Sequence, residues 1–199
     1  MSDLSSEARY VPEPSPPEYA DLVDAFRDMH AALAASAPTI DLARSLTEQF
    51  RVTAAQLTAQ RADERQRLAR RPDPSGRGGH PSLIPYRVDS SDDTTLSATV
   101  TFTDAHLGGN GAVHGGILPL LFDDVLGIFV SSVAQPGSRT AFLNVNYRKI
   151  TPIGRPLRVT VSIDGIEGRK TWITGRLYEG DEVLADAEAL FLRLLPGQP

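Results

Sequence analysis

The stretch GGNGAVHGGILPLLFDDVLG, residues 108–127, holds the residues best suited to chemistry. It carries six glycines, one histidine and two adjacent aspartates in twenty residues, and most of the rest is aliphatic. A carboxylate among apolar residues is costly unless it is paired with another group or used in a reaction. Asp123 and Asp124 are therefore candidates for a general base or a nucleophile.

Gly115 and Gly116 stand where a helix is predicted to begin. Pro119 fixes that start near residues 115–118, because proline is tolerated mainly in a helix's first turn. The first N–H groups of a helix lack internal partners and lie at its positive end. Glycines leave those N–H donors open to a carbonyl oxygen that gains negative charge in a transition state. Asp123 lies about two turns further along, on roughly the same face of the helix. This arrangement predicts acyl transfer to water.

Simpler interpretations of the same residues stay open at this point. His114 could cap the helix or lie in the core. Asp123 and Asp124 could be the solvated edge of a partly exposed helix, and the glycines could form a tight turn. The glycines do not match a phosphate-binding or dinucleotide-binding pattern, and the four histidines of the chain have no metal-ligand spacing. We therefore expect no metal.

The β-patterned half of the chain supplies the elements that would position these residues. From about residue 80, apolar and polar residues alternate as in half-buried strands, and short turns containing glycine favour antiparallel pairing. The strand-like segments are LSATVTF, AFLNVNYR, LRVTVSI, TWITGRLY and VLADAEALFLRL. A helix that is apolar around nearly its whole circumference lies among them and should be buried. We predict an α+β domain over residues 80–195, with an antiparallel sheet of five to six strands wrapped around one central helix that ends near Val130.

The first 79 residues are predicted to lie outside that domain. Residues 1–17 contain four prolines and are predicted to be flexible. Residues 18–71 have helical spacing and should form two helices, the second with an arginine-rich last turn. Residues 72–79 are predicted to be a linker. The apolar positions are Leu22, Val23, Phe26, Met29 and Leu33 in the first helix, and Ile40, Leu46, Phe50, Leu57 and Leu68 in the second.

Composition excludes several classes of protein. The net charge is −5, from 20 Lys and Arg against 25 Asp and Glu, which argues against a nucleic-acid partner. The absence of cysteine excludes disulfides and thiolate chemistry. We find no signal-peptide pattern and no apolar stretch near the roughly 20 residues that span a bilayer. We therefore expect a soluble cytoplasmic protein that does not bind a membrane.

Two motifs resemble a known family. VHGGILPLLFDDVLG resembles the HGG-x(6)-D signature of PaaI-like acyl-CoA thioesterases with the hot-dog fold. TAFLNVNYRKITPIGRPL resembles the third strand and following loop of that family, most closely in the subgroup of mammalian thioesterase-superfamily members four and five and their actinobacterial relatives. The resemblance covers about residues 80–195. It implies hydrolysis of an acyl-CoA thioester to a free acid and CoA.

The resemblance also implies roles for individual residues. Asp123 would activate water or attack the thioester, while the backbone N–H of Gly115 would polarise its carbonyl. His114 would help to orient the substrate or the catalytic group, and Thr140 would assist from the neighbouring subunit. The further substrate-binding candidates are Gly116, Asn110, Asp124 and Arg148.

Two positions depart from the family pattern. Gly108 replaces an asparagine that is common six residues before the histidine, and Asn110 is a nearby substitute. The loop before Thr140 is one residue longer than in the closest subgroup.

The resemblance further implies a homodimer joined at the sheet edges, with pairing into tetramers, and CoA as part of the substrate with no separate cofactor. The N-terminal helices would cover a sheet edge or the bound acyl chain, in a tunnel beside Leu120 and Leu121. A hot-dog hydratase or dehydratase and a non-catalytic acyl-thioester-binding protein are the alternatives.

Overall fold

The computed structural model describes residues 14–71, 79–195 and 197–198. Its N-terminal part contains helices α1 (Pro17–Ala35) and α2 (Ile40–Ala59), followed by two short 3₁₀ turns. The β-rich part contains one long helix, α3 (Ile117–Phe129). Its strands are β1 (Tyr86–Ser91), β2 (Thr95–Thr101), β3 (Leu107–Gly109), β4 (Ala112–Val113), β5 (Ser138–Tyr147), β6 (Pro156–Glu167), β7 (Lys170–Glu179) and β8 (Glu182–Arg193).

Six of these strands form one antiparallel sheet in the order β1-β2-β6-β7-β8-β5, so β1 and β5 are its edges. The sheet wraps around α3, whose residues Leu121, Phe122 and Leu126 are completely buried against it. The predicted hot-dog architecture is confirmed, including the sheet, the central helix and the N-terminal helical region.

Gly175 in β7 sets how closely the sheet approaches this helix. A Cβ atom on Gly175 would lie 2.9 Å from Cδ1 of Phe122 and 3.2 Å from Cδ2 of Leu126. Real Cβ atoms are not found at the shorter of these distances, so any side chain would displace the helix or distort Phe122. Glycine at this strand position is therefore a packing requirement of the core.

Helix α3 begins as predicted but is longer and less enclosed than expected. It continues into a π-helical turn, Val130–Ala134. The 18 residues from Ile117 to Ala134 have a mean hydropathy of 1.9, enough in length and composition to cross a membrane. The expectation that no stretch comes near this limit was therefore wrong, although the sheet buries much of this helix as a core element. One stripe stays open, because Asp123 is exposed and Ile128 is 54% exposed.

Helix α1 buries only part of the face that its large apolar residues predict. Ala20 and the predicted Val23 are buried, whereas Leu22, Phe26 and Leu33 are 50%, 44% and 46% exposed.

Arg27, one turn after Val23, explains how α1 is oriented on the β domain. Its guanidinium donates to the carbonyl oxygens of His80 at 3.0 Å and Leu83 at 3.4 Å, just before β1. These bonds, with the small residues beside them, orient α1 toward the sheet.

The predicted boundaries in the N-terminal part need correction. Most of the predicted flexible segment 1–17, and most of the predicted linker 72–79, lie outside the described residues. At the described end of the first segment, Ser15 is buried and α1 already begins at Pro17.

Helix α2 also ends earlier than predicted. It ends at Ala59, has no buried residue, and has no basic residue in its last turn. No large apolar residue lies between Leu57 and Leu68, so nothing in that interval could pack a further turn. Leu68 lies in a separate 3₁₀ turn, and the arginine-rich segment follows the helix.

Candidate functional site

Asp123 and Thr140 form a hydrogen-bonded pair at the open stripe of α3. The hydroxyl of Thr140 donates to Oδ1 of Asp123 at 2.7 Å. Thr140 lies near the start of β5, opposite Phe191 of β8, and faces the helix. A short connection after the π-helical turn returns the chain along the helix it has just left. Thr140 therefore reaches Asp123 of its own chain, and the expected contribution of Thr140 from the neighbouring subunit is corrected here.

Asp124, the next residue, has a different environment. Its side chain is half-buried and hydrogen-bonds the hydroxyl of Tyr86, near the start of β1. The pKa of Asp124 is raised to about 6, because burial and then the charge of Asp123 raise it more than the bond from Tyr86 lowers it. Burial, followed by the charge of Asp124, also raises the pKa of Tyr86.

The two aspartates thus connect α3 to the two edges of the sheet. Asp123 bonds to β5, and Asp124 bonds to β1, which lies at the other end of the strand order. Consecutive helical residues point about 100° apart, so neighbouring carboxylates can serve opposite edges. Tyr86 was missed as a site residue, although it follows Pro85 and its register with the buried Val100 directs it to the inner face.

The His-Gly-Gly turn leads into α3. The N–H of Gly116 donates to Nδ1 of His114 at 3.1 Å, and the N–H of Ile117 donates to the carbonyl of His114 at 2.9 Å. The N-cap residue of α3 is Gly116 and has no side-chain cap, so His114 holds the turn that precedes the helix. The N–H of Gly116 is therefore engaged, whereas that of Gly115 has no hydrogen-bond acceptor within the described ranges.

Gly115 is held from its other side by Tyr147. The Tyr147 hydroxyl, at the end of β5, donates to the carbonyl oxygen of Gly115 at 2.8 Å. The φ angle of Gly115 is outside the left-handed region, and a Cβ there would lie 3.7 Å from Cε1 of Tyr147, an ordinary contact. The glycine is thus not required by backbone strain. The contact of Tyr147 with this turn was not predicted from the sequence.

Gly115 and Asp123 are separated by eight residues in the chain. This is roughly 12 Å along a helix at 1.5 Å per residue. Groups that act on a reacting atom lie at hydrogen-bond distance from it. The spacing favours a site that takes the two groups from different chains, and the expected pairing of Asp123 with the oxygen at Gly115 stays a prediction.

Gly108 and Asn110 are explained by a short hairpin of β3 and β4. A Cβ on Gly108 would lie 2.7 Å from Cα of His114, so the asparagine usual at this position has no space here. Asn110 has φ 51° and Gly111 has φ 74°, which are the positive angles of a two-residue Asn-Gly turn. The turn is sufficient to account for Asn110, whose substrate-binding role stays a prediction.

Arg148 is engaged by Asp186 of β8. Its Nε and one terminal nitrogen both donate to that carboxylate, which also accepts from Asn146 at 2.9 Å. The bond from Arg148 is the main reason that the pKa of Asp186 is lowered. A substrate-binding role for Arg148 also stays a prediction. Among the residues that the structure describes, no group of three His, Asp or Glu side chains is arranged to hold a metal.

Comparison with known proteins identifies the domain that carries this site. Residues 110–186 match the family model of the thioesterase superfamily. The β-rich part of the chain is therefore similar to the thioesterase superfamily. The acyl-coenzyme A thioesterase THEM4 of Mus musculus is 33% identical over 97 residues, which cover 47% of this chain and 41% of that protein. The chain thus spans about two fifths of the length of the curated relatives it matches first.

Solved structures of thioesterases share the fold. A crystal structure of a thioesterase superfamily protein superposes with a TM-score of 0.72 at 27% identity, and covers 92% of this chain and 98% of that one. A hypothetical thioesterase protein of Streptococcus pneumoniae, solved with coenzyme A, superposes with a TM-score of 0.51 at 18% identity, and covers 56% of this chain and 93% of that one. Residues 80–195 are less than two thirds of this chain, so the first superposition also extends into the N-terminal part of this chain.

Proposed function

We propose that this protein is an acyl-CoA thioesterase that hydrolyses an acyl-CoA to a free acid and CoA. The observation that carries the proposal is the Asp123–Thr140 pair, at 2.7 Å on the open stripe of the central helix. It occurs in a domain that is similar to the thioesterase superfamily, and the mouse relative carries the name acyl-coenzyme A thioesterase.

The proposed chemistry uses the carboxylate of Asp123 and the backbone N–H of Gly115. Thr140 holds Oδ1 of Asp123, and the second carboxylate oxygen either takes a proton from water or attacks the thioester carbonyl carbon itself. With water as the nucleophile, the new C–O bond forms and the C–S bond then breaks. CoA leaves as the thiolate and takes up the proton. The N–H of Gly115 stabilises the negative oxygen of the intermediate.

We further propose that two copies of the chain complete each site. Because Gly115 and Asp123 of one chain are roughly 12 Å apart, a productive site combines Gly115 of one protomer with Asp123 of the other. β5 is an edge strand of ten residues beside the open stripe, where Ile128 is exposed. A free edge of this length favours pairing, and a closed two-fold dimer is its commonest form.

Complementation between two inactive variants tests the shared site. Asp123→Asn and Gly115→Val should each be inactive as homodimers. When they are co-expressed with different tags, the hybrid dimer regains one intact site and keeps one with both changes. Random mixing should restore about a quarter of the wild-type activity. If the purified hybrid is inactive while both parents are folded dimers, the site lies within one chain.

Hydrolysis itself is tested with a panel of acyl-CoA substrates and a thiol-detecting reagent. We expect release of free CoA that requires Asp123. Binding of acyl-CoA without thiol release would favour the non-catalytic alternative, and a changed acyl group without thiol release would favour a hydratase or dehydratase. Pairing into tetramers, location in the cytoplasm and the absence of a cofactor stay predictions.

A further inference from the structure

A pocket of about 460 Å³ lies between α1 and the β domain. Helix α1 contributes Phe26 and Ala31, the segment before β1 contributes Leu83 and Pro85, and the far wall contains His106 and Ile117. We propose that this cavity, the α1 pocket, holds the acyl chain of the substrate. The inference rests on the proposed thioesterase function, and it assigns a substrate-binding role to the N-terminal helix.

The α1 pocket lies next to the turn that would hold the thioester carbonyl. Ile117, which lines the pocket, is two residues from Gly115 and its N–H bonds to the carbonyl of His114. His106 also lines the pocket, and its backbone carbonyl accepts the N–H of His114 at 2.8 Å. A thioester whose carbonyl oxygen lies at the N–H of Gly115 can therefore extend its acyl chain past Ile117 into the pocket.

The lining suits an alkyl chain better than a charged group. Eight of the fifteen lining residues are apolar, and the polar residues Asp28 and His30 are exposed to solvent. The volume is within the range of roughly 300–1,000 Å³ that is typical of ligand sites. The guanidinium of Arg27 is occupied by Asp24 at 3.2 Å and by the two backbone carbonyls.

His106 also fits an uncharged ligand. Its Nδ1 accepts the backbone N–H of Thr103 at 2.9 Å, which fixes the neutral tautomer with the proton on Nε2. Burial lowers the pKa of His106, and the neighbouring His30 and Arg27 lower it further. The histidine therefore adds no charge to the pocket.

The position of the pocket revises the expected acyl tunnel. Helix α1 contributes to the pocket, in agreement with the expectation that the N-terminal helices cover the bound acyl chain. Leu120 and Leu121 are not among its lining residues, and Leu121 is completely buried in the core. The α1 pocket therefore lies at the start of α3 rather than along its side.

Two adjacent alanines of α1 provide a matched test. Ala31 is partly buried and lines the pocket, whereas Ala32 is exposed and does not. Ala31→Phe should fill the cavity, while Ala32→Phe adds the same ring to solvent. We expect the ratio of octanoyl-CoA to acetyl-CoA turnover to fall more than about tenfold in A31F, because each methylene excluded from an apolar site weakens binding about fourfold. A32F should keep the wild-type ratio.

Ala31→Leu is the second variant, for the case that the phenyl ring prevents folding. It should lower the same ratio in the same direction by a smaller factor. Unchanged ratios in folded A31F and A31L, with a wild type that hydrolyses both substrates, would overturn the α1 pocket while leaving the proposed activity in place.

Binding of thioether analogues separates the pocket from catalysis. S-octyl-CoA and S-ethyl-CoA are titrated calorimetrically against the wild type, A31F and A32F. We expect the octyl chain to increase affinity in the wild type and in A32F, and to lose that gain in A31F. This pattern in a protein that hydrolyses no acyl-CoA would support the pocket and reject the activity. An octyl gain that is equal in all three proteins would overturn the pocket.

Discussion

The hydroxyl of Thr140 donates to Oδ1 of Asp123 at 2.7 Å, and both residues belong to the same chain. A hydrogen bond to a carboxylate is stronger and more directional than one between neutral groups. It fixes the rotamer of an exposed side chain that would otherwise be free to move, and it leaves the other carboxylate oxygen available. The pair thus positions one reactive atom on the open stripe of α3.

Replacement of Thr140 by valine should lower kcat by about tenfold to a hundredfold, because hydrogen bonds to charged groups contribute about 1.5–3 kcal/mol. Valine keeps the branched shape, so the effect isolates the hydroxyl. Thr140→Ser restores the donor and should recover most of the turnover. The measurement is steady-state hydrolysis of one acyl-CoA. Equal activity in the valine and serine variants would mean that the bond to Asp123 has no catalytic consequence.

The two adjacent carboxylates should differ sharply in their importance for turnover. Asp123→Asn removes the proposed base and should lower kcat by about a hundredfold to ten-thousandfold. Asp124→Asn should have a much smaller effect, because Asp124 is half-buried and hydrogen-bonded to Tyr86. Both variants are compared in the thiol-release assay after circular dichroism has established that they fold. The reverse order of effects would assign the base to Asp124.

The fold was predictable because its main signals are local. Alternation in AFLNVNYR predicted a half-buried strand, and β5 pairs there with the buried Ala185, Ala187 and Ala189 of β8. Pro119 correctly placed the start of α3, because proline restricts the backbone wherever it occurs. Such patterns determine the local backbone conformation, so they can be interpreted without knowing how the rest of the chain folds.

The contacts that complete the site could not be predicted in this way. The bond from Tyr147 to the carbonyl of Gly115 joins residues 32 positions apart, and that from Tyr86 to Asp124 joins the opposite sheet edge to the helix. Both depend on how far the sheet curls around α3, which no local pattern encodes. The packed face of α1 could not be predicted for a related reason. Arg27 donates to backbone carbonyls that come together only in the folded protein.

Gly115 should tolerate a methyl group in the folded protein. Its φ angle is ordinary and an added Cβ would meet only Tyr147, so Gly115→Ala should melt within a few degrees of the wild type. The larger Gly115→Val should block the approach of a carbonyl oxygen to the N–H and lower kcat by about a hundredfold to a thousandfold. Thermal melting and turnover are measured on both variants. Normal turnover in Gly115→Val would show that this N–H does not bind the substrate oxygen.

Two strand glycines should differ in stability when changed to alanine. Gly175→Ala forces a methyl group to 2.9 Å from Phe122 and should cost about 1–3 kcal/mol in the free energy of unfolding. Gly165→Ala has nothing within 4 Å and an ordinary φ angle, so it should be neutral or slightly stabilising. Denaturant titration measures both. Equal midpoints would mean that the core relaxes around the added methyl group.

Asp124 should make the stability of the protein depend on pH. Its pKa in the folded state is about 6 against 3.8 without the fold, so the folded protein binds more protons between these values. The stability contributed by Asp124 is therefore present at low pH and is lost as pH rises through 6. Partial exposure reduces the effect, and we expect a loss of about 2 kcal/mol.

Comparison with Asp124→Asn isolates this contribution from the other carboxylates. The Tm of Asp124→Asn relative to the wild type should rise by about 4–8 °C between pH 4 and pH 7.5, and level off above that. Tyr86→Phe removes the bond that lowers the pKa of Asp124, so in that background the change should extend to higher pH. A Tm difference that stays constant across this range would show that Asp124 ionises as it does in water.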